Sequence, residues 1–184
     1  NTIKSTAEHG WLDVQMRPER RNAIKVLLFF DIGGSMDWHI KQVEELFSAA
    51  KAEFKHMEYF YFHNCLYEHV WKNNRRRHDE KTETWDVIRT YPQDYRVILV
   101  GDASMSPYEI VQPGGSVEHW NEEPGQAWIQ RLTSHFHHVA WLNPVKQTHW
   151  QYTHSVQLIR QLMADRMFPL TLEGIDAAMR ELVR

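Results

Sequence analysis

The chain has 184 residues, enough for one α/β domain with a sizeable core, and 42% apolar with 24% charged residues is the composition of a folded globular domain. Its 21 Lys and Arg against 24 Asp and Glu give a net charge of -3, which excludes the positive field needed for general binding of nucleic acid or of an anionic membrane. No apolar stretch approaches the roughly 20 residues that cross a bilayer. These features predict a soluble domain, and the single cysteine, Cys65, is compatible with the reducing cytoplasm, where the domain is expected to lie.

Residues 24–31 are nearly continuously apolar, which is typical of a strand covered on both faces of a parallel sheet. After Gly33 and Gly34, apolar residues recur at helical spacing from position 40 to position 54 and predict an amphipathic helix. Two aromatic-rich runs, 59–62 and 66–71, then predict a pair of strands joined by a tight turn. This pair implies one antiparallel strand.

The second half of the chain again alternates between predicted helices and strands. Thr82 or Thr84 is expected to cap a short helix, after which residues 95–100 predict a second buried strand that ends at Asp102, as the first ends at Asp31. A loop rich in Pro and Gly is expected over 106–125. The remaining predicted elements are a helix over 126–134, a strand over 139–142, and helices over 151–163 and 172–183 separated by a break at 168–170.

Strands that alternate with helices predict a doubly wound α/β sheet, and such sheets bind ligands beyond the carboxyl ends of their strands. Asp31 and Asp102 both stand at predicted carboxyl ends, and the glycines at 33 and 34 let the chain turn so that Ser35 follows closely. Carboxylates and hydroxyls are the ligands that Mg2+ prefers. The sequence therefore predicts a site for a hard divalent cation at this edge of the sheet.

The string from Asp31 to Met36, a threonine that opens a helix, and Val100-Gly101-Asp102 resemble the metal-ion-dependent adhesion site of the von Willebrand factor A domain. More narrowly, the chain is similar from position 24 onward to the bacterial CoxE-like branch of that superfamily. The strings that carry this narrower resemblance are Phe29-Phe30-Asp31, Gly34-Ser35-Met36, Arg75-Arg76-Arg77, Ser106-Pro107-Tyr108-Glu109-Ile110, Trp141-Leu142-Asn143-Pro144 and Met167-Phe168-Pro169-Leu170.

The resemblance implies a Rossmann-like, mostly parallel sheet of six strands with one antiparallel edge strand, formed by residues 24–184. Residues 1–23 are then expected to be a lead-in, the end of a preceding region. The resemblance also implies a cation, Mg2+ or else Mn2+ or Ca2+, held by Asp31, Ser35, Thr84 and Asp102, with Thr82 as the alternative to Thr84. One serine of the family pattern is replaced by Gly33, so weak binding is expected, a serine restored at 33 should strengthen it, and a vestigial site is the alternative.

The function implied is protein binding without catalysis, in association with a MoxR-type AAA+ ATPase that assembles or activates other proteins. The long loop supplies the expected partner-binding residues, namely Tyr108, Trp120, Glu122 and Glu123, which combine aromatic side chains with charge. A metal-dependent phosphohydrolase is an alternative, but the aspartyl phosphatases need a second aspartate where Gly33 stands. A purely structural domain is the other alternative.

Overall fold

The computed structural model describes residues 24–73, 80–115 and 120–183, so the predicted lead-in over 1–23 and the string Arg75-Arg76-Arg77 lie outside the described residues. The strands are β1 (Lys25–Asp31), β2 (His56–Phe62), β3 (His69–Trp71), β4 (Lys81–Glu83), β5 (Arg96–Val100), β6 (His138–Asn143) and β7 (Met167–Pro169). The helices are α1 (Ile40–Glu53), α2 (Thr84–Thr90), α3 (Pro107–Val111), α4 (Gly125–His135), α5 (His154–Leu162) and α6 (Leu172–Leu182). Segments of 3-10 helix span Gly34–His39 and Gln147–Tyr152.

The strands form one seven-stranded sheet in the order β4-β3-β2-β1-β5-β6-β7. Neighbours from β2 to β7 pair in parallel, whereas β3 runs antiparallel to both β2 and β4. This confirms the predicted Rossmann-like α/β class with an antiparallel edge, and the sheet has one strand more than the six expected. The short strands β4 and β7 carried no sequence signal, because residues 81–83 are polar and 168–170 were expected to be a break between helices.

Helices cover both faces of the sheet, which explains why β1 is apolar at almost every position. Side chains of one face, such as Leu27 and Phe29, pack with α2, α4 and α5. Side chains of the other face, such as Leu28 and Phe30, pack with α1 and α6. The strand alternates between two separate cores, so a polar side chain within it would lack a solvated face.

The chain leaves β1 toward β2 on one side and returns to β5 on the other side. The carboxyl ends of β1 and β5 therefore flank the point where the strand order reverses, which is where open α/β sheets bind their ligands. We call the edge at which β1, β2, β5, β6 and β7 all end the carboxyl edge. None of the helices within the described ranges is long and apolar enough to span a membrane.

Candidate functional site

Two buried aspartates lie side by side at the carboxyl edge. Asp31 is the last residue of β1 and Asp102 follows the end of β5, and their side chains are 4% and 3% exposed. The loops touch at Gly101, where an added Cβ would stand 2.9 Å from the Cβ of Asp31 and 3.2 Å from its Oδ2. A glycine at 101 is thus required by close approach, and the predicted juxtaposition of the two aspartates is present.

Only one of the two oxygens of the Asp31 carboxylate has hydrogen-bond partners. Its Oδ1 accepts hydrogen bonds from the backbone N–H groups of Gly33 at 2.7 Å and Asn64 at 2.9 Å. Its Oδ2 is buried and has no hydrogen-bond partner. Burial, followed by the negative charges of Asp102 and Glu109, raises the pKa of Asp31 from 3.8 to about 7 against the opposing effect of the two N–H donors. A cation or a proton next to Oδ2 would relieve this unfavourable arrangement.

We call the segment after β5, residues 101–105, the Asp102 loop. Buried side chains form hydrogen bonds with its backbone. Asp102 Oδ1 accepts from the N–H of Ser104 at 3.0 Å, and its backbone carbonyl accepts from Asn143 Nδ2 at 3.0 Å. Ala103 has a φ of 55°, a left-handed conformation that costs a non-glycine residue about 1 kcal/mol or more. Its carbonyl accepts from the hydroxyl of Ser155 at 2.7 Å. Buried polar groups of β6 and α5 therefore fix the backbone that carries Asp102.

Asn64 and Glu109 join this site, although the sequence did not single them out. Asn64, two residues past the end of β2, has a φ of 61° and directs its Nδ2 to Glu109 Oε1 at 3.3 Å. Glu109 lies in α3 and is 2% exposed. A left-handed asparagine is a known signal of a turn. The burial of Glu109 could not be predicted, because a five-residue helix is too short to show a periodic apolar pattern.

The predicted hydroxyl ligands lie in different elements and differ in their exposure to solvent. Thr84 is the first residue of α2, fully buried, and its Oγ1 donates to the carbonyl of Tyr67 at 2.5 Å. Thr82 lies in β4 opposite Val70. Ser35 is exposed in the 3-10 helix Gly34–His39, which we call the Ser35 turn. The observed contact of the Thr84 hydroxyl is thus to the segment after β2.

A cavity of about 590 Å³ opens beside the Ser35 turn, on the face of the sheet that α1 covers. Its walls combine the end of β1 with apolar side chains of the turn, α1 and β2, including Met36, Phe47 and Tyr61. Asp31, Asp37 and Glu44 also line it. The cavity therefore reaches the carboxyl edge next to the aspartates.

The long loop presents most of its predicted partner-binding residues to solvent. Tyr108 is 62% exposed, Trp120 is 80% exposed and Glu122 is exposed. The loop is closed by a hydrogen bond from the N–H of Gly114 to the carbonyl of Asn121 at 2.7 Å. Gly114 has a φ of 68°, and an added Cβ there would lie 2.4 Å from the ring of Trp120, so the ring rests on a glycine that no larger residue can replace without a shift.

Glu123 has a structural partner. Its carboxylate forms two hydrogen bonds with the guanidinium of Arg131, one of them from Nη2 to Oε1 at 2.7 Å, and this ion pair lowers the pKa of Glu123. The backbone N–H of Glu123 donates to Glu68 Oε1 at 2.9 Å. Glu123 thus ties the loop to α4, whereas Glu122 extends from it.

Exposed apolar side chains concentrate at the carboxyl edge. Within the described ranges, the large apolar or aromatic residues classed as exposed all follow the carboxyl ends of β1, β5, β6 or β7. They are Trp38, Ile40, Tyr108, Val111, Trp120, Tyr152 and Leu172. Isolated exposed apolar residues are ordinary, but these all lie in segments that leave the same edge of the sheet, which makes that edge the candidate interaction surface.

The donor chemistry at this edge fits a hard cation. Across the described residues, no three side chains of the His, Cys, Asp and Glu types are arranged to hold a metal ion. A site built from two carboxylates and neutral oxygens has only two such groups, and the buried, unpartnered Oδ2 of Asp31 is a free carboxylate donor. The fold and the site together define an α/β Rossmann-like domain with paired buried carboxylates at its strand-order switch.

No family model, no curated protein and no solved structure matches the chain.

Proposed function

We propose that this chain is a protein-binding domain of the von Willebrand factor A type, CoxE-like, that binds its partner at the carboxyl edge with the help of a divalent cation. The observation that carries the proposal is the buried Asp31–Asp102 pair, in which Oδ2 of Asp31 lacks a partner. Two like charges that are buried together need a compensating positive charge. The exposed aromatic side chains of the same edge supply the surface to which a protein would bind.

Asp31 and Asp102 would hold Mg2+, or else Mn2+ or Ca2+, and the hydroxyls of Ser35 and Thr84 are the further proposed ligands. The cation supplies an open coordination position for an oxygen of the partner, a contact that is strong because it is ionic and shielded from water. Thr84 Oγ1 donates its hydrogen bond to the backbone carbonyl of Tyr67, so its lone pairs remain available to a cation. Ser35 lies on the exposed turn, where a partner has access.

The proposal includes the absence of catalysis. Cys65 lies in the segment next to Asn64, but burial raises the pKa of its thiol, which therefore stays protonated and unreactive. Asp31, the alternative nucleophile, has Gly33 at the position where an aspartyl phosphatase would place its acid. Incubation with an aryl phosphate and Mg2+ should release no phosphate. Release that Asp31→Asn abolishes would establish the phosphohydrolase instead.

The cation site is tested by thermal unfolding in Mg2+, Mn2+ or Ca2+ at millimolar concentration, with a chelator as the reference. We expect each effective cation to raise the Tm of the wild type, because a ligand that binds only the folded state stabilises it. Asp102→Asn should abolish the rise, while Glu122→Gln, which removes a carboxylate exposed on the same edge, should leave it intact. A wild type that does not respond to any cation would favour the structural domain with a vestigial site.

The partner is expected to be a MoxR-type AAA+ ATPase, and the proposed location of the domain is the cytoplasm. Purified ATPase should be captured by the immobilised domain with Mg2+ and released by a chelator. Trp120→Ala and Asp102→Asn should each weaken capture, whereas Lys55→Ala, exposed just before β2 at the opposite edge of the sheet, should not. Capture that survives the chelator and both variants would place the contact elsewhere on the domain.

A further inference from the structure

We infer that the amide oxygen of Asn64 is a cation ligand of this site and that it occupies the place left open by Gly33. The inference rests on the proposed function, because it concerns the same cation. It adds a ligand from the segment after β2, which the predicted set of Asp31, Ser35, Thr84 and Asp102 does not contain.

The first argument is position. A Cβ built on Gly33 would lie 2.1 Å from Asn64 Oδ1 and 3.0 Å from Asp31 Oδ1. The space that a side chain at position 33 would fill is therefore already taken by the Asn64 amide oxygen, on the side of the Asp31 Oδ1. Amide carbonyl oxygens and carboxylates are both ligands of hard cations. A serine hydroxyl at 33 and the Asn64 amide are alternatives for one volume, and this chain uses asparagine.

The second argument is orientation. An asparagine amide can point either its oxygen or its nitrogen at a given neighbour, and its hydrogen-bond partners decide which. Asn64 Nδ2 donates to the buried carboxylate of Glu109, so Oδ1 is turned toward Gly33 and Asp31. Glu109 is thus a positioning residue. A reversed amide would set Oδ1 against the Glu109 carboxylate, where two acceptors repel each other.

The third argument is that the backbone at Asn64 is held in place. The N–H of Asn64 donates to Asp31 Oδ1 at 2.9 Å, and the residue adopts a φ of 61°. The left-handed region favours glycine and asparagine over other residues. Among residues that fit this backbone, asparagine is the one that also brings a neutral oxygen.

The last argument is that the Asp31 carboxylate leaves a donor unused. Oδ1 is saturated by two N–H groups, whereas Oδ2 is buried without a partner. A neutral amide oxygen on this carboxylate would add a ligand without adding negative charge to a region that already holds Asp31, Asp102 and Glu109.

The inference is tested by exchanging the two positions, with Mn2+ alone as the probe and its Kd measured by titration calorimetry. Asn64→Gly removes the amide and suits the left-handed backbone, so we expect a folded protein that binds Mn2+ on the order of tenfold more weakly. Contrary to the expectation from the sequence, Gly33→Ser alone should not tighten binding, because the added side chain displaces the Asn64 amide. The double variant G33S/N64G should recover a Kd within about threefold of wild type, because the hydroxyl then has the vacated space.

Glu109 is tested in the same assay. Glu109→Ala should weaken Mn2+ binding severalfold in the wild type but have no further effect in the Asn64→Gly background, because it acts through the amide. Glu109→Gln keeps an acceptor for Asn64 Nδ2 and should restore most of the affinity. A purely structural role of Glu109 would give the same loss in both backgrounds.

The outcomes separate the inference from the proposed function. A wild type that does not bind Mn2+ overturns the cation site and this inference with it. A wild type that binds Mn2+ while Asn64→Gly binds equally well leaves the cation site and overturns the role of Asn64. If Asn64→Gly fails to fold by circular dichroism, Asn64→Ala decides, since it removes the amide and keeps the backbone N–H, and alanine already adopts a positive φ at positions 103 and 164. Weaker binding then supports the inference, and equal binding overturns it.

Discussion

The loops after β1 and β5 flank the paired aspartates, and they are supported in opposite ways. In the Asp102 loop, two consecutive carbonyls, those of Asp102 and Ala103, accept hydrogen bonds from the buried side chains of Asn143 and Ser155. The Ser35 turn has no side-chain hydrogen bond at its N-cap and exposes Ser35 and Trp38. The Asp102 loop is thus fixed by hydrogen bonds from buried polar side chains, whereas the Ser35 turn lies beside the cavity.

Under the proposed function, the two loops would have different roles. A carboxylate that must meet a cation at one geometry benefits from a fixed backbone, because the ordering cost is met during folding rather than on binding. A surface that must fit a partner benefits from exposed side chains and room beside them. The Asp102 loop has the first property, and the Ser35 turn, with Trp38 at 90% exposure, has the second.

The largest expected effect on stability comes from the buried carboxylate of Asp31. Because the pKa of Asp31 is raised to about 7 in the folded protein, the folded state binds more protons than the unfolded chain between about pH 4 and pH 7. Without cations, the free energy of unfolding should therefore fall as the pH rises through this window, by on the order of 4 kcal/mol. Asp31→Asn should remove this fall, as measured by urea unfolding at pH 4 to 8 in a chelator.

Mg2+ adds the complementary test. At pH 8 the cation should stabilise the wild type more than at pH 5, since ligands must be deprotonated to bind it. Parallel pH profiles of wild type and Asp31→Asn would show that the buried carboxylate is compensated in another way.

The second-largest effect on stability is expected when the hydrogen bonds that support the Asp102 loop are removed. Asn143→Ala removes the donor to the Asp102 carbonyl and the acceptor of the Val145 N–H, leaving buried polar groups unpaired. The expected loss is about 2 to 4 kcal/mol of unfolding free energy. Ser35→Ala, its counterpart in the exposed turn, should change stability by less than about 0.5 kcal/mol. Similar losses from both variants would contradict the contrast between the loops.

A smaller effect concerns the loop that carries the aromatic residues. Glu123→Gln weakens the ion pair with Arg131, which is partly exposed, so we expect a loss of about 0.5 kcal/mol in unfolding free energy. The loss should shrink at high salt, because salt screens the pair. Glu122→Gln is the matched control and should have no effect on stability, since that residue is exposed. A salt-independent loss would contradict the ion pair as the source of the stabilisation.

The smallest expected effect on stability belongs to the exposed aromatic residues. Tyr108→Ala and Tyr152→Ala should leave the urea midpoint almost unchanged, because both side chains are largely in solvent. The same variants should reduce capture of the ATPase, which separates a role in binding from a role in folding. A marked loss of stability from either one would remove it from the proposed surface.

Much of the fold was visible in the sequence, because periodicity reports burial directly. The runs that became β1 and β5 are apolar at successive positions, so they required cover on both faces, and the helices over α1, α4 and α6 follow from their apolar spacing. The three-residue strands β4 and β7 escaped prediction, since the neighbouring strand rather than their own residues sets their conformation.

At the site, the sequence by itself placed Asp31 and Asp102 at strand ends, because the length of a buried apolar run marks where the strand must stop. That these ends are neighbours was expected only from the family resemblance and not from the local patterns. That Asn64 fills the space beside Gly33, and that Glu109, Asn143 and Ser155 are buried, was decided by the tertiary structure alone. Local patterns record the solvent exposure of each residue along its own element. The distance between two side chains more than thirty residues apart depends on strand order and register, which no local pattern contains.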